Sequence, residues 1–542
     1  MRTLRVLYHL MRADFLERVR RYSFLITLGI VAYAAYMFLP PNGAKYVTLR
    51  FADYRGIYNS AWVGALVAMM SAVFISLAGF YIIKNAIARD RETGVGEIIA
   101  STPVRGTVYL IGKMLSNFAV LTAMIAVLAI GAVGMQVLRG EELSIRLWDL
   151  WSPLLLVTLP VAALLAAVAV VFESVSFLRG GAGNVIYYFV WLIALSTTIT
   201  QGADVFGHNV IIDDMTHTCA AAFPDYDAAE RRMSMGFNIA GSGEVMTMET
   251  FVWKGLDWTP GQVFARLRWF LVALLITALA TVPFDRFDTM RPGVKRRRGW
   301  IRRGKRALPR EEALEKSALA VPVPELATTF KLPTALVGRM TRHRMPALVA
   351  AELRLMLKGR VWTWYMVALG LMVGGIAAPT SVGRLYLLPA AWIWPILIWS
   401  GMGIRERRFG TTQVVYSCPH PVKRQLPAIW AAGVLVALIT GSGVAVRLIV
   451  GEQWEALVAL AVGALFVPSM ALALGVWTGS SKLFEVLYLL LWYGGPMNQV
   501  PFIDYLGATD AGLSMGVYWW FLAVTAVLLV LAAAGRLRFL RQ

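Results

Sequence analysis

Apolar stretches of roughly 20 residues recur along this 542-residue chain, and each is long enough to cross the hydrocarbon core of a bilayer. Twelve are expected, near 23–40, 61–84, 108–136, 152–172, 184–200, 264–283, 361–378, 384–404, 425–445, 454–477, 483–494 and 514–535. Water is absent at that depth, so each must satisfy its own backbone polar groups, which a helix does. Only 15% of residues are charged, where a soluble chain of this size carries roughly a quarter. The sequence predicts an all-α polytopic membrane protein.

The net charge of +20 invites a nucleic-acid partner, but its distribution argues against one. With a cytoplasmic N-terminus and alternating spans, most Lys and Arg fall on the cytoplasmic side. That is the asymmetry that orients membrane proteins, and it places both termini inside. The run Lys295-Arg296-Arg297-Arg298 is expected to lie against anionic lipid headgroups. More than twenty residues precede the first apolar stretch, long for a signal n-region, so the first helix is expected to be retained.

Two polar loops 316 residues apart resemble one another. The first runs from Asp90 to Pro103 and the second from Glu406 to Pro419. One offset pairs Asp90 with Glu406, Gly94 with Gly410, Ile98 with Val414, Ser101 with Ser417 and Pro103 with Pro419. Each loop follows an apolar segment and precedes another, and Asp90 through Arg105 is expected to form a short helix ended near Pro103, standing off the membrane. Val95, Ile98 and Ile99 then make an apolar ridge suited to a protein contact.

The duplication extends further. Leu4, Leu7, Met11, Phe15, Val19 and Tyr22 recur at helical spacing, with Asp14, Glu17 and Arg18 on other faces. This is an amphipathic helix suited to the interface. Residues 352–360 occupy the same place before the seventh apolar stretch, and 185–191 match 486–492. The expected fold is two parallel six-helix repeats, each preceded by an interfacial amphipathic helix. The expected divisions are a first unit, 1–283, a basic proline-spaced linker, 284–346, and a second unit, 347–542. An extracytoplasmic loop domain, 201–263, interrupts the first unit, with Phe223, Phe237, Phe251, Trp253 and Trp258 available for a small core.

Catalytic signatures are missing from the sequence: it has no G-x-x-x-x-G-K-[ST], H-E-x-x-H or G-x-S-x-G. His208, Asp213, Asp214, His217 and Cys219 are types that could bind zinc, but a solvated acidic loop accounts for them equally well and is preferred. Glu173 and Glu485, beside Arg179 and Lys482, sit at the ends of apolar segments, where local pairing is preferred to proton coupling. Neither a catalytic nor a metal site is expected on this chain.

The pattern Arg91-Glu92-Thr93-Gly94 through Glu97, then Ser101-Thr102-Pro103 and Gly112-Lys113, resembles the coupling loop of ABC-type export permeases of the type-2 family. Residues 475–485 are similar to segments of fused bacterial members with both halves in one chain. The resemblance implies a permease of the bacterial inner membrane, partnered by two copies of an ABC ATPase subunit that carry the ATP and Mg. It further implies that Thr93, Gly94, Glu97 and Pro103 contact one ATPase, and Gly410, Gln413 and Pro419 the other. Phe409 in place of Thr93, and Cys418 in place of Thr102, depart from the pattern. Membrane lipids and an extracytoplasmic partner at 201–263 complete the expected contacts. The alternatives are an ion-coupled secondary transporter and a receptor or enzyme acting through 201–263.

Overall fold

The computed structural model describes residues 2–41, 44, 46–200, 204–227, 233–239, 248–285, 287, 345–417 and 421–540. Most of the expected linker 284–346 therefore lies outside the described residues, as do Cys418 and Pro419. In chain order the first elements are α1 (Arg2–Val19), α2 (Tyr22–Phe38), β1 (Tyr46–Phe51), β2 (Tyr54–Gly56), α3 (Ser60–Phe74) and α4 (Phe80–Ile83). There follow α5 (Ala86–Glu92), α6 (Val95–Ser101), α7 (Gly106–Arg139), α8 (Leu147–Pro153), α9 (Leu159–Ser174), α10 (Gly181–Ile199) and α11 (Asn209–Ala222). Then come β3 (Met233–Ile239), β4 (Glu249–Phe251), α12 (Pro260–Leu279), α13 (Met345–Leu357), α14 (Trp362–Ala377) and α15 (Thr380–Trp399). The chain closes with α16 (Arg405–Arg408), α17 (Thr412–Tyr416), α18 (Pro421–Val450), α19 (Trp454–Thr478), α20 (Lys482–Trp492) and, after three short helical segments, α21 (Val517–Leu540).

Eight helices among the described residues are long and apolar enough to cross a membrane, or ten if each of two bent pairs counts as one span. The chain is an all-α polytopic membrane protein. The bent pairs are α1 with α2, at 78°, and α13 with α14, at 110°. The expected fifth and eleventh spans are not among the candidates. Glycines and Asn184 open α10, and Ser196, Thr197 and Thr198 close it, which shortens its apolar stretch. Gly494, Gly495 and Pro496 end the regular part of α20 after 11 residues, roughly 16 Å of helix.

Two compact units result. The first comprises Met1–Phe287 and Thr478–Asn498; the second comprises Asp288–Trp477 and Gln499–Gln542. Thus α20, which belongs to the expected second unit in sequence, packs within the first unit. There α9 presents Ala163, Ala166, Ala167 and Val170 to α7 and α12, closing over Leu110, Met114 and Ala273. Small residues let helix backbones approach closely where lipid supplies no hydrophobic drive. In the second unit α13, α14 and α15 pack along α18, where Trp392 and Trp399 are fully buried. Their indole N–H groups donate to the carbonyls of Ala437 and Gly433 at 3.1 Å each.

Helix α1 does not present one clean stripe. Leu4 is exposed and Leu7, Met11, Phe15 and Val19 are partly buried, whereas Asp14 and Arg18 are buried and Arg5, Arg12 and Glu17 are exposed. Protein holds Asp14 and Arg18, and Leu7 and Leu10 lie against Gly112 of α7.

The 201–263 loop does not build its small core alone. It pairs with the connection before α3 in a four-stranded sheet of order β3-β1-β2-β4. Strands β1 and β3 are antiparallel, with Arg50 opposite Ser234, and β2 and β4 are parallel. Phe51, Phe251 and Trp62 meet edge to face beneath it, while Phe237 is half exposed.

Candidate functional site

Each of the two related loops is a pair of short helices joined by a glycine in the left-handed region. Gly94 (φ 75°) joins α5 to α6, and Gly410 (φ 64°) joins α16 to α17. A Cβ at either position would meet nothing within 4 Å, so the backbone angle rather than crowding calls for glycine. Ser101 donates to the Ile98 carbonyl at 2.7 Å and Ser417 to the Val414 carbonyl at 2.8 Å. These four residues correspond under the 316-residue offset, so the resemblance extends to hydrogen bonding.

The expected contact residues divide by exposure. Thr93, Glu97, Pro103 and Gln413 are exposed, as are Ile98 at 67% and Val414 at 70%. Pro419 lies outside the described residues. Ile99 and Ala100 instead turn inward onto the core of the first unit. The apolar ridge is therefore narrower than expected, formed by Val95 and Ile98 in the first hairpin and by Phe409 and Val414 in the second.

Both hairpins are tied to the amphipathic helix of their own unit. Arg89 reaches Asp14 of α1 at 2.8 Å, and Arg405 reaches Glu352 of α13 at 2.8 Å. The neighbouring acids are buried in each case: Asp90 pairs with Lys113 at 2.7 Å, and Glu406 with Arg536 at 3.3 Å. Asp14 is the hub of the first network, accepting also from Arg18 at 2.6 Å, Lys113 at 2.8 Å and Ser116 at 2.6 Å. Burial alone would raise its pKa, but Arg18 and Lys113 outweigh that and hold the carboxyl at about 2.

The base of the first hairpin is held by Glu173, at the end of α9. One carboxylate oxygen accepts the backbone N–H of Asn85 and Ala86 at 2.9 and 3.1 Å. The other accepts those of Ile87 and Ala88 at 2.7 and 3.1 Å. Those are the donors that a helix start leaves unpaired, and a carboxylate there also complements the helix dipole. Arg179 does not pair with that carboxylate; it closes α9 by donating to the Glu173 and Ser174 carbonyls. The second unit replaces this charge with close backbone packing. A Cβ on Gly475 would stand 2.2 Å from the Met402 carbonyl oxygen, and one on Gly403 would stand 2.7 Å from that of Leu472.

Beside the first hairpin, α10 meets α20. Asn184 donates its amide to Glu485 at 2.5 Å, and the Tyr188 hydroxyl donates to the Leu489 carbonyl at 3.1 Å. Both pairs are 301 residues apart, the separation that aligns 185–191 with 486–492. Lys482 donates to the carbonyls of Tyr81 and Lys84 at 2.7 and 2.8 Å, and Lys84 to Asn184 at 2.6 Å.

In the loop domain, Asp204 accepts the N–H groups of Gly207, His208 and Asn209 and pairs with Arg266 at 3.0 Å. Asp214 accepts from the Trp253 indole at 2.7 Å, and among the described residues no three His, Cys, Asp or Glu converge as metal ligands. Cys219 is buried and free. His208 is buried, and burial pushes its imidazole down to about 4. The folded chain therefore binds fewer protons than the unfolded chain between about pH 6.5 and 4, and stability falls with pH across that window. The melting temperature of the detergent-solubilised chain should drop over this range, and the drop should be smaller in His208→Phe. Parallel pH curves for the two proteins would refute it.

The first hairpin, with α1, Glu173 and α20, was only partly visible in sequence. Glu173 and Arg89 carried no motif, because their partners are backbone amides and a distant acid. No protein-family profile matches the chain, and no curated protein matches it.

Proposed function

We propose that this chain is the permease subunit of an ATP-driven exporter, with both halves fused. The two helical hairpins dock on two copies of a separate ABC ATPase subunit, which binds ATP and Mg. The observation that supports this most is the repeated geometry: two hairpins turn on a left-handed glycine, expose an apolar ridge and are anchored by an Arg–carboxylate pair to an amphipathic helix. A rigid lever anchored at the membrane surface is what transmits a partner's closure to the spans. Alternating access follows if ATPase closure moves both hairpins and repacks the helices between two arrangements. The proposed setting is the bacterial inner membrane, with both termini and both hairpins cytoplasmic. The sheet-containing loop domain then faces outward, available to an extracytoplasmic partner.

The test is a mild-detergent pull-down of the tagged chain from its native host, with an ATPase assay on the eluate. An ATPase at about two copies per chain is expected. A side chain at φ near +70° costs about 1–2 kcal/mol, so Gly94→Val with Gly410→Val should deform both turns and reduce recruitment. A wild-type chain that purifies without ATPase activity, or a double variant with unchanged recruitment and transport, would overturn the proposal.

A further inference from the structure

Where α1 leaves the interfacial plane and α2 turns into the spans, a cavity of about 580 Å³ opens within the first unit. Its walls carry Arg18, Arg21, Lys84, Arg89 and Lys482, against Glu92 as the acid of the wall among the described residues. Phe24, Ile82, Ile83 and Val120 give it an apolar side, and Thr27, Asn85 and Thr93 also reach the wall. A cationic floor beside an apolar wall suits a ligand that is itself divided, with an anionic head and a hydrocarbon tail.

The charges are incompletely matched. Arg18 and Arg89 share Asp14, and Arg21 and Arg89 share Glu17. Neither Lys84 nor Lys482 forms an ion pair with a carboxylate among the described residues; their ammonium groups are held by carbonyl oxygens and the Asn184 amide. Nearby Glu173 lies outside the wall, with its carboxylate occupied by four backbone N–H groups, and Glu485 accepts from Asn184. Glu173 and Glu485 act on Lys84 and Lys482 through space, so the two ammonium groups are offset by these acids without being ion-paired to them.

The helix beside the cavity points to the source of the anion. An amphipathic helix such as α1 is of the kind that lies among headgroups, and the bend of 78° into α2 begins at the cavity. Next to Phe24, the α2 residues Leu25 and Ile26 are exposed at 57% and 65%, which leaves an apolar track leading away from the cationic floor. We propose that this cavity binds the phosphate of an anionic glycerophospholipid, with an acyl chain along Phe24 and Val120. The proposal does not depend on the ATPase reading, because it concerns lipid retention by the chain alone.

The test uses the purified full chain in mixed micelles of phosphatidylglycerol and phosphatidylcholine, with retained lipid counted by native mass spectrometry. Phosphatidylglycerol should be retained at least about tenfold over phosphatidylcholine. The Arg21 side chain is half exposed, so Arg21→Gln should fold normally. That variant should weaken phosphatidylglycerol retention about fivefold, and Arg21→Lys should restore it. Equal retention of the two lipids, or an unchanged preference in Arg21→Gln, would overturn the site. Displacement of the lipid by inorganic phosphate alone would show that the cavity takes a free anion, and would overturn the lipid assignment.

Discussion

Alanine in place of Asp14 should destabilise the chain by about 3–5 kcal/mol, the usual cost of removing one partner from a buried ionic network. Asp14 is 8% exposed and touches three cations: Arg18, Arg89 and Lys113. Arg89 would keep Glu17 and Lys113 would keep Asp90, whereas Arg18 would be left with its bond to the Asn117 amide oxygen. A buried guanidinium left in that state is the larger part of the cost. Asp14→Asn preserves shape while removing charge, and should fall between the wild type and Asp14→Ala in melting temperature. The pH dependence fixes the sign. A carboxyl held at about 2 instead of 3.8 stabilises fully above about pH 4 and loses that contribution as pH falls toward 2. Wild-type and Asp14→Ala melting curves should therefore converge in acid; equal melting temperatures at pH 7 would contradict the network's role.

What could be read from sequence followed whether a residue's partner leaves a pattern. Gly94 and Gly410 announce a left-handed turn because few other residues tolerate it, and the 316-residue offset carried the rest of each hairpin. The match between 185–191 and 486–492 was equally visible, but not that α10 and α20 touch through those matched residues. Asp14 lay off the apolar stripe and read as surface charge, since nothing local shows that Lys113 and Arg89 converge on it. Glu173 was set beside Arg179, its neighbour in sequence, whereas its carboxylate serves backbone amides almost ninety residues away. Backbone donors have no sequence signature. Strands of three residues, such as Tyr54–Gly56 and Glu249–Phe251, are too short for a period of two to emerge, so the sheet joining two outer connections was missed.

The Glu173 cap leads to the second large expectation, and it separates structure from coupling. In Glu173→Gln one acceptor oxygen becomes an amide donor facing backbone N–H groups, and the charge that favours the start of α5 is lost. Leaving such donors unsatisfied costs about 1–3 kcal/mol each for neutral groups and more where charge assisted, so a local loss of about 3 kcal/mol is expected. The core of α7, α9 and α12 does not use this carboxylate, and the chain should still fold. Amide exchange over 85–92 should then accelerate about 100-fold, the equivalent of that energy, while exchange in α9 stays unchanged. Unaltered exchange at 85–92 would mean that the cap does not hold the hairpin. If exchange rises while ATP-driven transport persists at the wild-type rate, the hairpin is loosened without consequence and is not the element that carries the ATPase stroke. Loss of transport with retained ATPase binding would mark Glu173 as the residue that makes the docked hairpin rigid enough to move the spans.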